Sequence, residues 1–241
     1  MGSRGSTSGV SSGGISLAAP ISDESSRTAV RDITRSDVED LQRRMGQTGL
    51  EAGDPNATPR NKLYVNSKKS LNINTYLATD GVSIEHPGSD WTDLGYTKYD
   101  AERAIAQIDR GMKELPESIR LYRFVDGDSL GKMLGDSRIN NRTINRLIRD
   151  IDSGKKSIDD LSTALRYTDY THKAYTSTTY LDSHGTYGSR PVKMNIIASK
   201  GTKAIVTSNH AEHEILIARG LKYKFKGAHL VGGQIVIDVE I

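Results

Sequence analysis

With 241 residues, and a flexible tail set aside, the chain can form one domain of roughly 180 residues around a buried core. A formal net charge of +3 and a pI near 8.9 allow attraction to phosphates without requiring nucleic acid. The absence of cysteine excludes disulfides, thiolate catalysis and zinc–thiolate sites. No apolar run approaches the roughly 20 residues that span a bilayer, and the N-terminus lacks the apolar core of a secretory signal, so a soluble product is expected.

Residues 1–28, rich in Gly and Ser from Gly2 to Gly14, hold too little apolar surface to offset the entropy of ordering and read as a disordered tail. Met1-Gly2-Ser3-Arg4-Gly5-Ser6 matches the N-myristoylation pattern with Gly2 as acceptor, a match that such composition produces easily by chance. Residues 29–60 read as a short helix and a linker. Ser36-Asp37-Val38-Glu39 has the form of a capping box, Val38, Leu41 and Met45 follow at helical spacing, and Gly46 stops the pattern. Gly49, Gly53, Pro55 and Pro59 mark the linker. The main domain is expected over 61–241.

Two amphipathic helices come next, one carrying Leu71, Ile73, Tyr76 and Leu77, the other Ala101, Ala104, Ile105, Ile108 and Met112. Pro116 ends the second, and Ile119 to Val125 alternates as a strand with Arg123 among apolar neighbours. An arginine in that setting needs an anion, supplied either by a carboxylate across the sheet or by a phosphate gripped through two N–H groups. Ile144, Leu147, Ile148 and Ile151 form a third stripe, and Ile158, Leu161, Ala164 and Leu165 a fourth, opened by Ser157-Ile158-Asp159-Asp160. Arg138, Arg142, Arg146, Arg149, Lys155 and Lys156 make this region basic, but Asp136, Asp150 and Asp152 interleave with them, which favours a solvated helix face over a nucleic-acid patch. Gly154-Lys155-Lys156-Ser157 lacks the upstream glycine of a phosphate-binding P-loop.

After Tyr167 the character changes to β. Val192, Met194 and Ile196 alternate, and 204–206, 215–217, 221–225 and 235–241 continue the pattern. Helices followed by strands imply a segregated α+β architecture. Tyr175-Thr176-Ser177-Thr178-Thr179 lays hydroxyls along one strand-prone stretch. Further on, Glu212-His213-Glu214 runs into Ile215-Leu216-Ile217; if the segment is extended, both carboxylates leave the same face, a geometry suited to acid, base or cation-stabilising chemistry. His210 and His213 flank Glu212 but lack a third ligand at metal-binding spacing, so no metal is expected.

Taken in order, Arg123, Ser177-Thr178-Thr179 and Glu212-His213-Glu214 resemble the Arg, Ser-Thr-Ser and Glu-x-Glu motifs of the mono-ADP-ribosyltransferases, the branch that includes bacterial binary toxins and arginine-modifying ecto-enzymes. Ile73-Asn74-Thr75-Tyr76-Leu77 is similar to that family's Ile-Asn-x-x-Leu helix, Leu115-Pro116-Glu117 to its lead into Tyr122-Arg123, and Glu214 to Gly220 to the run after its catalytic glutamate. The departures are Phe124 after the strand arginine, Thr179 as third hydroxyl, and a Thr207 to Ala211 stretch with no aromatic.

The resemblance implies an N-terminal helical layer on a split two-sheet β core, with NAD as substrate and no metal. It implies that Glu214 meets the nicotinamide ribose, that Ser177 orients Glu214, that Arg123 clamps pyrophosphate, and that Glu212 handles the nucleophile, for which arginine is the expected side chain. Thr178, Asn74, Tyr187 and Arg190 are further expected NAD contacts. It further implies a monomeric effector of bacterial or phage origin, secreted, injected or phage-delivered, acting on a host protein. Three other functions share these residues: an NAD glycohydrolase, a catalytically silent binding or structural module, and an enzyme that modifies or binds nucleic acid.

Overall fold

The computed structural model describes residues 30–47, 67–81, 98–134, 139–167, 170–183, 187–207 and 213–241. Its first helix, α1 (Arg35–Arg44), is capped by Thr34 and not from Ser36. The Asp37 amide donates to the Thr34 hydroxyl at 3.3 Å and the Thr34 amide to the Asp37 carboxylate at 2.7 Å. The two donors are thereby satisfied reciprocally, which requires the acid three residues after the cap. Gly46 ends the helix at φ +64°, a left-handed conformation that costs glycine nothing.

Helices α2 (Ser67–Ala78), α3 (Lys98–Gly111), α5 (Asn141–Asp152) and α6 (Ile158–Leu165) bear the four expected stripes. Helix α4 (Gly127–Leu134) has no counterpart among the sequence expectations. Two glycines in eight residues hide it, since glycine disfavours helix by about 1 kcal/mol each. The glycines serve packing instead: a Cβ on Gly131 would lie 2.4 Å from the Asn141 Cα, so α4 and α5 touch backbone to backbone.

The strands are β1 (Lys113–Glu114), β2 (Ile119–Val125), β3 (Tyr170–His172), β4 (Thr176–Thr179), β5 (Val192–Ala198), β6 (Lys203–Val206), β7 (Glu214–Ile217), β8 (Leu221–Val231) and β9 (Gln234–Glu240). They hydrogen-bond in the order β1-β6-β7-β4-β2-β5-β9-β8-β3. All neighbours are antiparallel except β5 and β9. The expected α+β architecture is present, and the split lies between β2 and β4, which share the single registered pair Tyr122 and Thr179.

Burial follows from this layering. Ile215 and Ile217 join a core with Leu121, Val125, Leu130, Ile144, Ile148 and the β5 and β9 side chains, whereas Leu216 and Ile205 face Ile73, Ala104, Ile108 and Tyr175 beneath α2 and α3. β7 is thus buried on both faces, which is why it reads as a continuous apolar run and not as an alternation. Val38, Leu41 and Met45 of α1 enter the larger core, a contact that a helix-and-linker reading of 29–60 does not anticipate. Just beyond α1, Gln47 is only 2% exposed: its amide donates to the Ala204 carbonyl at 3.0 Å and accepts from the Val206 amide at 3.1 Å, extending the β6 ladder past the short β1.

Candidate active site

Where β2 and β4 part, the Ser177 carbonyl has no strand partner on the β2 side, and the Arg123 guanidinium fills the gap, donating to it at 2.7 Å. Arg123 Nε is buried and finds no acceptor, and among the described residues no carboxylate stands within ion-pair distance of this side chain. The ion pair across the sheet, open as an alternative from sequence, is therefore not seen there.

An unneutralised guanidinium leaves its mark on its surroundings. His172, packed edge-on against Tyr223 with ring centroids 5.9 Å apart, has its imidazole pushed down to about 4 by burial and then by the Arg123 charge. Unfolded chains protonate His near pH 6.5, so between pH 6.5 and about 4 the unfolded state takes up a proton that the folded state refuses. Stability is full above that window and falls through it by up to about 3 kcal/mol. Thermal unfolding from pH 7 to 4 should show the loss in the native chain, and His172→Gln should flatten that slope. Parallel slopes for the two proteins would show that His172 does not titrate in this way.

On the other side of β4, Ser177 Oγ donates to one oxygen of Glu214, and Thr207 Oγ1 donates to the other at 2.8 Å. Glu214 opens β7 opposite Thr179 and is 4% exposed, as is Thr207. Both carboxylate oxygens are thus held by hydroxyls, one within β4 and one just past the end of β6, which fixes the carboxylate plane. Thr207 went unassigned from sequence, where it figured only as the start of a stretch without aromatics; nothing in its neighbours marks it, because its role arises from the pairing of β6 with β7.

Just before Glu214 the geometry departs from the extended segment expected over 212–214. His213 has φ +50°, in the left-handed region, so the backbone turns there and β7 begins only at Glu214. The Tyr180 hydroxyl meets His213 Nδ1 at 2.8 Å, and the two rings lie edge to face at 5.2 Å, which secures a conformation that a bulky side chain otherwise avoids. Glu212 and His210 lie outside the described residues.

Arg123 and Ser177 line a cavity of about 190 Å3 together with Tyr122, Phe124, Thr178, Thr179, Tyr187 and Arg190. The Arg190 guanidinium sits 4.7 Å from the centre of the Tyr187 ring and donates to the Phe124 carbonyl at 3.0 Å. Two guanidinium groups with no described carboxylate within ion-pair reach therefore converge on one cavity, the electrostatic requirement for a multiply charged anion. Thr178 borders the cavity with its hydroxyl donating to the Ile215 carbonyl. Asn74 acts from α2, where its side-chain oxygen accepts from the Tyr175 amide at 3.1 Å and so positions the entry to β4. Among the described residues no three His, Asp or Glu side chains gather as a metal site.

Residues 54–239 match the family model described as ADP-ribosyltransferase exoenzyme. Comparison with curated protein sequences yields no match. Among solved structures, the chain is similar to C3stau2 from S. aureus with NAD, at 19% identity and a TM-score of 0.61 over 88% of this chain and 97% of that one. The Clostridium limosum C3 exoenzyme gives 19% identity and a TM-score of 0.59, covering 88% and 96%. BECa of a C. perfringens binary enterotoxin, with NADH, gives 19% identity and a TM-score of 0.61 over 85% of this chain and 47% of that one. At such identities these likenesses establish the fold.

Proposed function

The chain belongs to the ADP-ribosyltransferase exoenzyme family, and from that premise we propose that it cleaves NAD and transfers ADP-ribose to an arginine of a protein acceptor, releasing nicotinamide. The observation that carries this reading is the Ser177–Glu214–Thr207 arrangement beside a cavity holding Arg123 and Arg190.

In the proposed reaction the bond between the ribose C1′ and the nicotinamide nitrogen breaks, its electron pair leaving with nicotinamide. The sugar becomes oxocarbenium-like, and the Glu214 carboxylate, hydrogen-bonded to the ribose 2′-hydroxyl, stabilises the developing positive charge. Arg123, with Arg190 and Tyr187, holds the pyrophosphate end. An acceptor guanidinium nitrogen then bonds to C1′ and gives up a proton to Glu212, a glutamate at the place that accompanies arginine acceptors in the family. No step needs a metal. The family's toxins also support the reading of a secreted effector that acts on a host protein.

The direct test is nicotinamide release from NAD by the native chain, with and without agmatine as an arginine-like acceptor. Release that agmatine accelerates, with formation of ADP-ribosyl-agmatine, supports transfer to arginine. Acceptor-independent release alone points to a glycohydrolase, and failure to bind or consume NAD sinks the enzyme reading.

Thr207→Val offers a finer check, because it conserves volume while removing one of the donors described at the buried Glu214 carboxylate. A hydrogen bond to a charged group contributes about 1.5–3 kcal/mol, so kcat should fall by about tenfold or more, with KM for NAD little changed. Unchanged kcat would mean that the carboxylate is positioned without Thr207.

A further inference from the structure

Helix α5 turns three guanidinium groups to one side with no ion-pair partner among the described residues. Arg142, Arg146 and Arg149 stand at i, i+4 and i+7, which aligns them over about 10 Å of one helix face. All three are exposed, and they line a groove of about 390 Å3 where α4 meets α5. From sequence, the interleaved Asp136, Asp150 and Asp152 would compensate them; Asp136 lies outside the described residues. Among the described residues, however, no carboxylate reaches ion-pair distance of any of the three, whereas Arg43 and Arg44 pair with Asp40, Lys156 with Asp160, Arg219 with Asp109 and Lys226 with Glu240. The one carboxylate among the described residues of the groove, Asp128, accepts from the Asn145 amide at 2.7 Å.

The same helix leads toward the cleft. Through Ile148, Ile151 and Asp152 it lines a larger cavity of about 800 Å3 that also takes in Arg190, the β8–β9 turn and the end of β8, where Leu230 and Val231 are 49% and 57% exposed. Arg190 belongs equally to the candidate NAD cavity. Through Arg149 and its i+3 neighbour Asp152 the basic row thus adjoins a cavity that reaches the exposed end of β8 and Arg190 of the candidate cleft.

We propose that this strip docks the acceptor protein: the α5 arginines receive an acidic patch, and Leu230 and Val231 an apolar side chain beside it. The inference rests on the ADP-ribosyltransferase reading above and gives the acceptor a surface chemistry. A nucleic acid fits less well. Among the described residues no aromatic ring lines the arginine groove to stack a base, Asp128 stands among the cations where a phosphate backbone would pass, and the net charge of +3 is small.

The test uses the full chain with poly-L-glutamate as probe, an oligothymidylate of matched charge as the rival, and two triple variants of equal charge change. Arg142→Glu/Arg146→Glu/Arg149→Glu removes the row, while Lys200→Glu/Lys203→Glu/Lys224→Glu reverses exposed lysines elsewhere. The arginine variant should lose salt-sensitive poly-glutamate binding by roughly tenfold or more, the lysine variant should keep it, and acceptor-free nicotinamide release should match the native chain in both. Equal loss in the two variants, tighter binding of oligothymidylate than of poly-glutamate, or release that falls with the arginines would each overturn the proposal. Absence of release from the native chain would instead sink the activity, leaving the binding comparison to decide the surface.

Discussion

Glu214→Gln is expected to lower nicotinamide release from NAD by about a thousandfold, the scale of losing one preorganised electrostatic contact to a charged transition state. The amide is isosteric and can still accept from Ser177 Oγ through its oxygen, but its NH2 faces the Thr207 hydroxyl, which now donates to Glu214 Oε2 at 2.8 Å. Thr207 can rotate its hydroxyl and accept instead, so folding should survive while the negative charge is lost. The charge matters because the reacting sugar is neutral in the ground state and cationic near the transition state. The deficit should therefore appear in kcat, with NAD affinity, which the proposed reading assigns to Arg123 and Arg190, kept within a few-fold. Nicotinamide release under saturating NAD, paired with isothermal titration of NAD, reads both quantities. Retention of more than about a tenth of the native rate would remove Glu214 from the chemistry.

How far this site was legible from the sequence depends on the range over which each residue acts. Arg123 stood out because a cation within an alternating apolar strand conflicts with its neighbours, and such local conflicts mark functional positions. Its actual partner, the Ser177 carbonyl, was not readable, since it exists only because β2 and β4 diverge after one shared pair. Thr207 was silent for the same reason: a threonine before a loop is ordinary until β6 and β7 bring it against Glu214. Helix α4 was hidden by the glycines that let it touch α5. The apolar stripes of α2, α3, α5 and α6 were legible because periodicity is a local signal, and the cap of α1 was misplaced by two residues because Thr34 with Asp37 and Ser36 with Glu39 both have the form of a capping box.

Glu212→Gln should separate transfer from cleavage: transfer to agmatine should fall by about a hundredfold or more, the scale of a lost general base, while acceptor-free nicotinamide release stays within a few-fold. The reasoning starts from His213. Because its left-handed φ of +50° ends the strand, Glu214 is fixed by the β4–β7 ladder and by two hydroxyls, whereas Glu212 precedes the turn in sequence and is no part of that ladder's register. A change at Glu212 should leave the Ser177–Glu214–Thr207 arrangement intact, so the ribose can still be activated and water can still capture it. Arginine has a further requirement that water does not share, since its guanidinium is protonated at neutral pH and a poor nucleophile until a neighbouring carboxylate takes a proton. Measuring ADP-ribosyl-agmatine and nicotinamide in the same reaction gives the ratio directly. If both fall together, the two glutamates act as one unit in cleavage; if neither falls, the acceptor is held by some other group and the arginine assignment loses its basis.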